Sequence, residues 1–212
     1  MIGLQRPPAA LRLAASELQD AAGTLRTWDS QANAIKTFKA ALRDWVLSNQ
    51  GERCAYCRLP LGTLGARRTL SLDHFAHKAK YSQWTFEALN LLGACNACNT
   101  SLKKAADTVL AEGATYEGST FRIVHPYLDA VLTHIQGGFM SEETVPEPPE
   151  GLSTKGKSTI ELFELDDPGL LTSWRKEHDA WTMQRISEAL SPADLALLLR
   201  AVREAEGLGP EH

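Results

Sequence analysis

Several things are missing from this 212-residue chain, and each absence narrows the reading. No apolar run approaches the ~18 residues that a membrane-spanning helix needs, so no span is expected. There is no Gly-rich phosphate loop, dinucleotide fingerprint or internal repeat, so no ATPase and no solenoid are expected. No secretory leader is evident, which points to a cytoplasmic, reducing compartment. An excess of positive charge is missing too: the net charge is −4, unusual for a free nucleic-acid binder. Cysteine is scarce, and none is left over. All four lie between residues 54 and 98, as two C-x-x-C pairs.

Those pairs are Cys54 with Cys57 and Cys95 with Cys98. A tight turn within C-x-x-C brings both sulfurs to one side, and two pairs supply the four soft ligands that tetrahedral zinc prefers. Disulfides do not suit a reducing compartment. A redox dithiol needs only one pair and usually a βαβ pattern, which is not seen. Residues 58–94 separate the pairs, more than in a short zinc ribbon, so the clamp carries something between its halves.

Within that gap, residues 68–72 read as a short strand, with Asp73 and His74 leaving its end toward opposite sides. Residues 90–92 read as a second strand. A helix is expected over 96–111, with Asn96 as its N-cap. On it Cys98 and Asn99 stand about 100° apart, so one can face the zinc and the other the hairpin. Asp73, His74 and Asn99 should then converge.

Asp73-His74, Asn90 and the Cys-x-x-Cys-Asn ending resemble the HNH (ββα-metal) endonuclease motif flanked by zinc-binding cysteine pairs. CAYC, DHFAHK, NLLGAC and CNTSLK are most similar to the Septu-type and retron-associated HNH nucleases of bacterial defence. The resemblance covers about a quarter of the chain, with weaker echoes at Arg6–Pro8, His125–Asp129 and Ile160–Asp167. It implies that Asp73 and Asn99 hold a catalytic divalent metal, magnesium or manganese. It also implies that His74 is the general base and that Asn90 braces the loop. Asn99 stands where many members have His, an exchange also found in the HNH domains of CRISPR effectors. His77 stands where the defence subfamily has Pro. It either joins the metal shell, contacts the phosphate, or is an ordinary surface substitution.

The residue types suit phosphodiester hydrolysis. Carboxylate and amide oxygens suit a hard cation, and a histidine titrating near neutrality suits proton abstraction. Residues 51–104 carry eight Lys/Arg against three Asp/Glu, +5, which leaves −9 for the rest of the chain. In this basic island Lys78, Lys80, Lys103 and Lys104 are the candidate nucleic-acid contacts.

The fold class expected is α+β: a zinc-clamped ββα core in a mainly helical chain. Residues 1–50 should form a helical segment packed on the core. One helix spans about 9–22 and stops near Gly23. A second, capped by Ser30, spans about 31–48 with Ile35, Phe38, Leu42, Trp45 and Val46 inward. Residues 51–140 form the core, with Trp84 and Phe86 as packing and a strand or hairpin over 115–124. His125 and Asp129 are either near the site or in a surface turn; His134 is structural. Residues 141–157 read as an acidic, Pro-rich loop or linker. Residues 158–212 should be helical. Asp167-Pro168 starts one helix, with Trp174 and His178 at packing positions. A capping box at Ser191–Asp194 starts another, with Leu195, Leu198, Leu199 and Val202 as its stripe.

The leading functional expectation is a metal-dependent HNH endonuclease acting on DNA or RNA, with structural zinc and, from the resemblance, a partner ATPase in a defence complex. The alternatives are a zinc-stabilised nucleic-acid-binding or adaptor protein without catalysis, and a stand-alone nuclease of restriction or homing type.

Overall fold

The computed structural model describes residues 3–21, 27–62 and 69–205. Among the described residues, helices combine with three separate two-stranded antiparallel sheets, an α+β arrangement. Two N-terminal helices come first, α1 (Ala9–Ala21) and α2 (Asn33–Asn49). Leu11, Ala15 and Leu18 of α1 are buried, as are Ile35, Phe38, Leu42 and Val46 of α2. This is the 3–4 spacing of one apolar face. The two faces join Trp28, Phe86, Ala88 and Leu91 in a single cluster. Ser30 does not cap α2. Its hydroxyl accepts the Ala32 amide at 3.2 Å in the turn before the helix. The expected stop at Gly23 lies outside the described residues.

The central hairpin pairs β1 (Leu70–His74) with β2 (Leu91–Cys95), placing Asp73 opposite Leu92 and His74 opposite Leu91. The first strand therefore runs beyond 72, and Asp73 and His74 are its last two residues rather than its exit. Arg68 lies outside the described residues. Asn90 ends a 3-10 turn (Ala88–Asn90) instead of starting a strand. β2 is buried throughout, and Gly93 is the reason it can be. Buried Gln50 grips both the Gly93 amide (2.9 Å) and its carbonyl (2.8 Å). A Cβ there would come within 2.9 Å of Leu70 and 3.0 Å of the Gln50 amide.

The helix expected over 96–111 is much shorter. It is a π-helical segment, Ala97–Lys103, and Asn96 makes no cap to it. The Lys104 amide reaches back five residues to the Asn99 carbonyl at 3.0 Å. Lys104 itself is left-handed (φ 49°), which stops the helix. Residues 109–111 then form β3 (Val109–Ala111), paired with β4 (Thr120–Phe121).

The stretch expected as a loop or linker, 141–157, is a loop only over 141–146 and 152–153, and the rest is regular structure. It contains β6 (Glu147–Gly151), paired with β5 (Ile135–Gly138), and the start of α3 (Thr154–Phe163). Pro148 and Pro149 fit because a two-stranded sheet leaves one side of each strand without partners. Gly137 (φ +69°) lets the Pro148 carbonyl approach to 2.5 Å from where a Cβ would stand. Ser153 caps α3 through the Gly156 amide at 3.0 Å. His134 bonds the same Ser153 hydroxyl at 2.7 Å, a structural role.

Asp167 and Pro168 open α4 (Pro168–Ala189), with the cap bond to Leu170 at 2.8 Å. The Ser191–Asp194 box opens α5 (Pro192–Ala205). Trp174 of α4 is fully buried and donates its Nε1–H to the Cys57 carbonyl at 2.7 Å. His178 is half-buried on the Glu142 carbonyl. Tyr56, Phe139, Ile160, Phe163 and Trp174 belong to one core cluster, so packing crosses the expected boundaries at 140 and 158. Beyond Trp174 the helices bury no described side chain, although Arg175, Glu177 and His178 still reach back to Pro146, Arg53 and Glu142. Met183, Ile186, Leu198 and Val202 are exposed. Among the described residues no helix is long and apolar enough to cross a membrane.

Candidate functional site

The hairpin and the π-helix deliver all four cysteines to one place. The Cys54–Cys57 turn is closed by Arg58 in the left-handed region (φ 59°), whose amide donates to the Cys54 carbonyl at 3.1 Å. β2 ends on Cys95, and the first turn of the π-helix carries Cys98. The four sulfurs lie within 4.8 Å of one another, and those of Cys57 and Cys95 are 3.8 Å apart. Zn–S bonds of ~2.3 Å in a tetrahedron set sulfurs about 3.8 Å apart. The Cys95 amide donates to the Cys54 sulfur and the Cys98 amide to the Cys95 sulfur, which favours thiolates. Hydrogen bonds from Cys54, Cys57 and Cys98 pull the Cys95 thiol far below its ordinary range. Coupling to Cys54 pushes Cys57 and Cys98 well above theirs. A dication removes that conflict by letting all four ionise. The cluster can hold a metal and is compatible with structural zinc.

A cleft of about 270 Å³ is bordered by Trp28, Asp73, His74, His77 and Asn99. His74 Nε2 lies 2.9 Å from the Thr85 carbonyl. A carbonyl only accepts, so Nε2 carries the proton and Nδ1 keeps its lone pair. Burial pushes the His74 pKa down to about 4. The ring is therefore neutral well below the near-neutral titration expected from the sequence. Trp28 packs against it edge-on, centroids 4.5 Å apart.

Asp73 is held from both sides. Its Oδ1 accepts from Lys103 Nζ at 3.0 Å and its Oδ2 from Tyr56 OH at 2.5 Å. Lys103 Nζ also donates to the His74 carbonyl at 2.6 Å. Burial, then the charge of Asp73, raises the Tyr56 pKa well above the phenol range, so Tyr56 stays a donor. Lys103 has no exposed side-chain surface. It cannot contact nucleic acid, contrary to the sequence reading. Asn99, four residues earlier, turns the same way and donates Nδ2–H to Ser71 Oγ at 2.8 Å.

Asn90 braces the loop after β1. Its Oδ1 accepts the Ala76 amide at 2.6 Å, and its Nδ2 serves the carbonyls of Ala76 (3.1 Å) and Trp84 (2.9 Å). A second chain fixes Asn90 in turn. His125 Nδ1 accepts the Tyr127 amide at 3.2 Å. The proton of the neutral ring is thus on Nε2, which donates to Tyr116 OH (2.9 Å), and Tyr116 donates to Asn90 Oδ1 (3.0 Å). His125 is fully buried, with its pKa lowered to about 3 by desolvation. Asp129 accepts the His125 amide and pairs with Lys155 at 2.8 Å. His125 and Asp129 are therefore neither at the cleft nor in a free surface turn: they are supports behind it.

Of the remaining candidates, His77 is half-buried at the cleft and Lys104 is exposed there. Lys78 also borders it and pairs with Asp29 at 3.1 Å. Lys80 pairs with Asp107 at 2.6 Å and does not border it. Trp84 and Phe86 are core, as expected. Sequence reasoning missed Tyr56, Trp28, Thr85 and Tyr116. Tyr56 could have been suspected from its place inside CAYC, and the burial of Lys103 from its four-residue spacing to Asn99. The others had no local signal.

Three outcomes follow from this geometry. Metal analysis of the purified chain should find one zinc, and Cys95→Ser should lose both the metal and the cooperative unfolding transition. A folded, zinc-free protein would contradict the site. Lys103→Met leaves the Asp73 carboxylate buried without its countercharge and should cost about 3–5 kcal/mol in urea unfolding. Adding Asp73→Asn should recover part of that loss. His125 has a folded pKa of about 3 against ~6.5 unfolded. The native state therefore binds fewer protons between these values, and its stability falls as pH drops below ~6.5. His125→Gln should reduce the loss of stability between pH 7 and 5 by about 2 kcal/mol.

No protein-family model matches the chain. Among curated proteins, the chain is similar to "Protein ea31" of Escherichia phage lambda, 29% identical over 86 residues. The match takes in 41% of this chain and 24% of that protein. The chain thus spans about a quarter of the length of this relative, whose name states no activity.

Proposed function

We propose that this chain is a zinc-stabilised, metal-dependent endonuclease of the HNH (ββα-metal) type, hydrolysing phosphodiester bonds in nucleic acid. One observation carries the reading. Asp73, Asn99 and a neutral His74, whose Nδ1 lone pair meets no donor among the described residues, border a single cleft. A protein that only binds nucleic acid has no use for a buried histidine whose tautomer leaves one nitrogen free to accept a proton. This favours catalysis over the adaptor reading.

In this mechanism His74 Nδ1 takes a proton from water as the water oxygen bonds to phosphorus, the bond from phosphorus to the leaving sugar oxygen breaks, and that oxygen takes a proton from solvent. The Thr85 carbonyl fixes the ring and steadies the imidazolium that forms. Asp73 and Asn99 would hold the divalent ion. Each Asp73 oxygen accepts one hydrogen bond and keeps a lone pair, and Asn99 spends its NH₂ on Ser71, which leaves Oδ1. Such oxygen donors suit magnesium or manganese. When bound, the ion supplies charge stabilisation on the phosphate and the leaving oxygen. Lys103 already stands 3.0 Å from Asp73, so the protein alone should bind this ion weakly and bind it better with substrate phosphate present. Asn90 and its Tyr116–His125 support keep the loop carrying His77 and Lys78 in place. A defence role with a partner ATPase rests on the sequence resemblance alone. The exposed apolar residues of α4 and α5 offer such a partner a surface.

His74→Ala should keep zinc, fold and substrate binding while cleavage falls by ~10²–10⁴. Asp73→Asn should lose activity together with magnesium affinity, and part of that activity should return at high magnesium. A metal titration of cleavage on DNA and RNA substrates, with any partner the complex requires, decides between outcomes. An undiminished rate in His74→Ala would overturn the base and the nuclease reading with it.

A further inference from the structure

The cations expected around the motif do not make a continuous surface. Lys103 is buried, Lys80 is turned to Asp107, and Lys78 is shared with Asp29. A second set stands beside the cleft on α2, a helix whose sequence suggests packing alone. Lys36, Lys39 and Arg43 fall within an arc of about 60° at ~100° per residue. That arc adjoins the face that buries Ile35, Phe38, Leu42 and Val46. Asp44, the one acid of this helix, falls on another side.

Two contacts locate the row against the site. Lys39 Nζ bonds the carbonyl of Trp28, the residue that borders the cleft and packs on His74, and lies 4.3 Å from the Trp28 ring centroid. Arg43 Nη1 bonds the carbonyl of Leu70 at 3.3 Å, at the other end of β1. The row therefore runs alongside β1, from its first residue to the cleft at its last. Burial lowers the Lys39 pKa, the Asp29 carboxylate raises it, and Lys78 and Arg43 lower it as like charges, so the α2 row and the Lys78–Asp29 pair lie within electrostatic reach of one another. Lys36, Lys39 and Arg43 form no ion pair with a carboxylate among the described residues. Lys36 and Arg43 are exposed.

We infer that α2 carries a track for the phosphate backbone of nucleic acid, with Lys36, Lys39 and Arg43 leading a strand along β1 into the Asp73–His74 cleft, where Lys78 and Lys104 meet it. The inference rests on the endonuclease reading for its substrate class. The track recognises phosphates, not bases: three cations spaced along a helix side carry no donor pattern that reads a base edge. It therefore contributes affinity and register rather than sequence choice.

The test separates binding from catalysis. Zinc-loaded full-length chain is titrated into a labelled oligonucleotide, duplex and single-stranded in turn, without added divalent metal and over a range of salt. Lys36→Glu/Arg43→Glu should weaken binding by an order of magnitude or more at low salt. It should also flatten the slope of log affinity against log salt by about 2 for duplex, because each phosphate contact contributes about 0.9. Lys39 is left in place because it packs on Trp28. Arg185→Glu/Lys176→Glu, a reversal of equal charge on exposed positions of α4, should change the affinity by less than twofold. Unchanged affinity and slope in the double variant would overturn the track, whether or not wild type cleaves. Absence of oligonucleotide binding by wild type would overturn it as well. Binding through α2 without cleavage in magnesium or manganese would leave the track standing and refute only the catalytic reading.

Discussion

A buried ammonium, that of Lys103, lies between the carboxylate of Asp73 and the carbonyl of His74. Neither charge could be buried alone, since an isolated ion in the interior costs several kcal/mol. Their pairing fixes how the π-helix lies on the hairpin, and much follows from that. Asn99, four residues before Lys103, is brought onto β1 at Ser71. Cys98, next to Asn99, is carried into the sulfur cluster with Cys95 at the end of β2. The hairpin–helix unit is thus joined twice, by charge at one end and by four thiols at the other. Tyr56 links the two joints. It sits between Cys54 and Cys57, yet donates to the far oxygen of Asp73 and stacks on Phe163 at 4.0 Å. The cleft needs both joints, because Asp73 and Asn99 arrive on different elements.

The C-x-x-C spacings were enough to read the cluster, because ligands three positions apart in a tight turn leave few alternatives. Helix starts with a side-chain cap were also legible: Asp167-Pro168 and Ser191–Asp194 sit where such caps belong. The misreadings share a cause, which is tertiary demand overriding local preference. Residues 104–111 have the composition of a helix, but a left-handed Lys104 ends it so that Lys103 can stay on Asp73. Residues 147–151 look unfit for a strand, but an edge position beside Gly137 tolerates two prolines. Lys103 and Lys104 are neighbours of equal charge in the sequence, yet one is fully buried and the other exposed. No composition argument separates them. Their placement follows from which one faces a carboxylate thirty residues away.

Two histidines show how similar burial can serve different ends. His74 and His125 are both kept neutral by desolvation, and in both Nε2 carries the proton. At His125 the other nitrogen is occupied by the Tyr127 amide, so the ring has no free valence. It can only transmit position, through Tyr116 to Asn90. At His74 Nδ1 has no such partner among the described residues. The difference is one backbone amide, and it separates a support from a candidate base. Pattern alone could not assign His125, because its partners Tyr116 and Asn90 are remote in sequence and meet it only in the core.

Charge tells a similar story at larger scale. The +5 of residues 51–104 overstates what a ligand would meet, because Lys103 is internal and Lys78 and Lys80 are shared with carboxylates. A site for a polyanion therefore needs cations from outside the motif. Those within reach of the cleft stand on α2, which is bound to the hairpin by its apolar face. That face fixes the helix, and with it the direction in which Lys36, Lys39 and Arg43 project. Core packing and the phosphate contact we infer are thus adjacent sides of one helix rather than alternative roles for it. This also reconciles an acidic chain with the polyanionic substrate we propose. Electrostatic attraction to a backbone weakens over a Debye length, ~8 Å at physiological salt. What counts is the charge lining the path beside β1, not the −9 carried by the rest of the molecule.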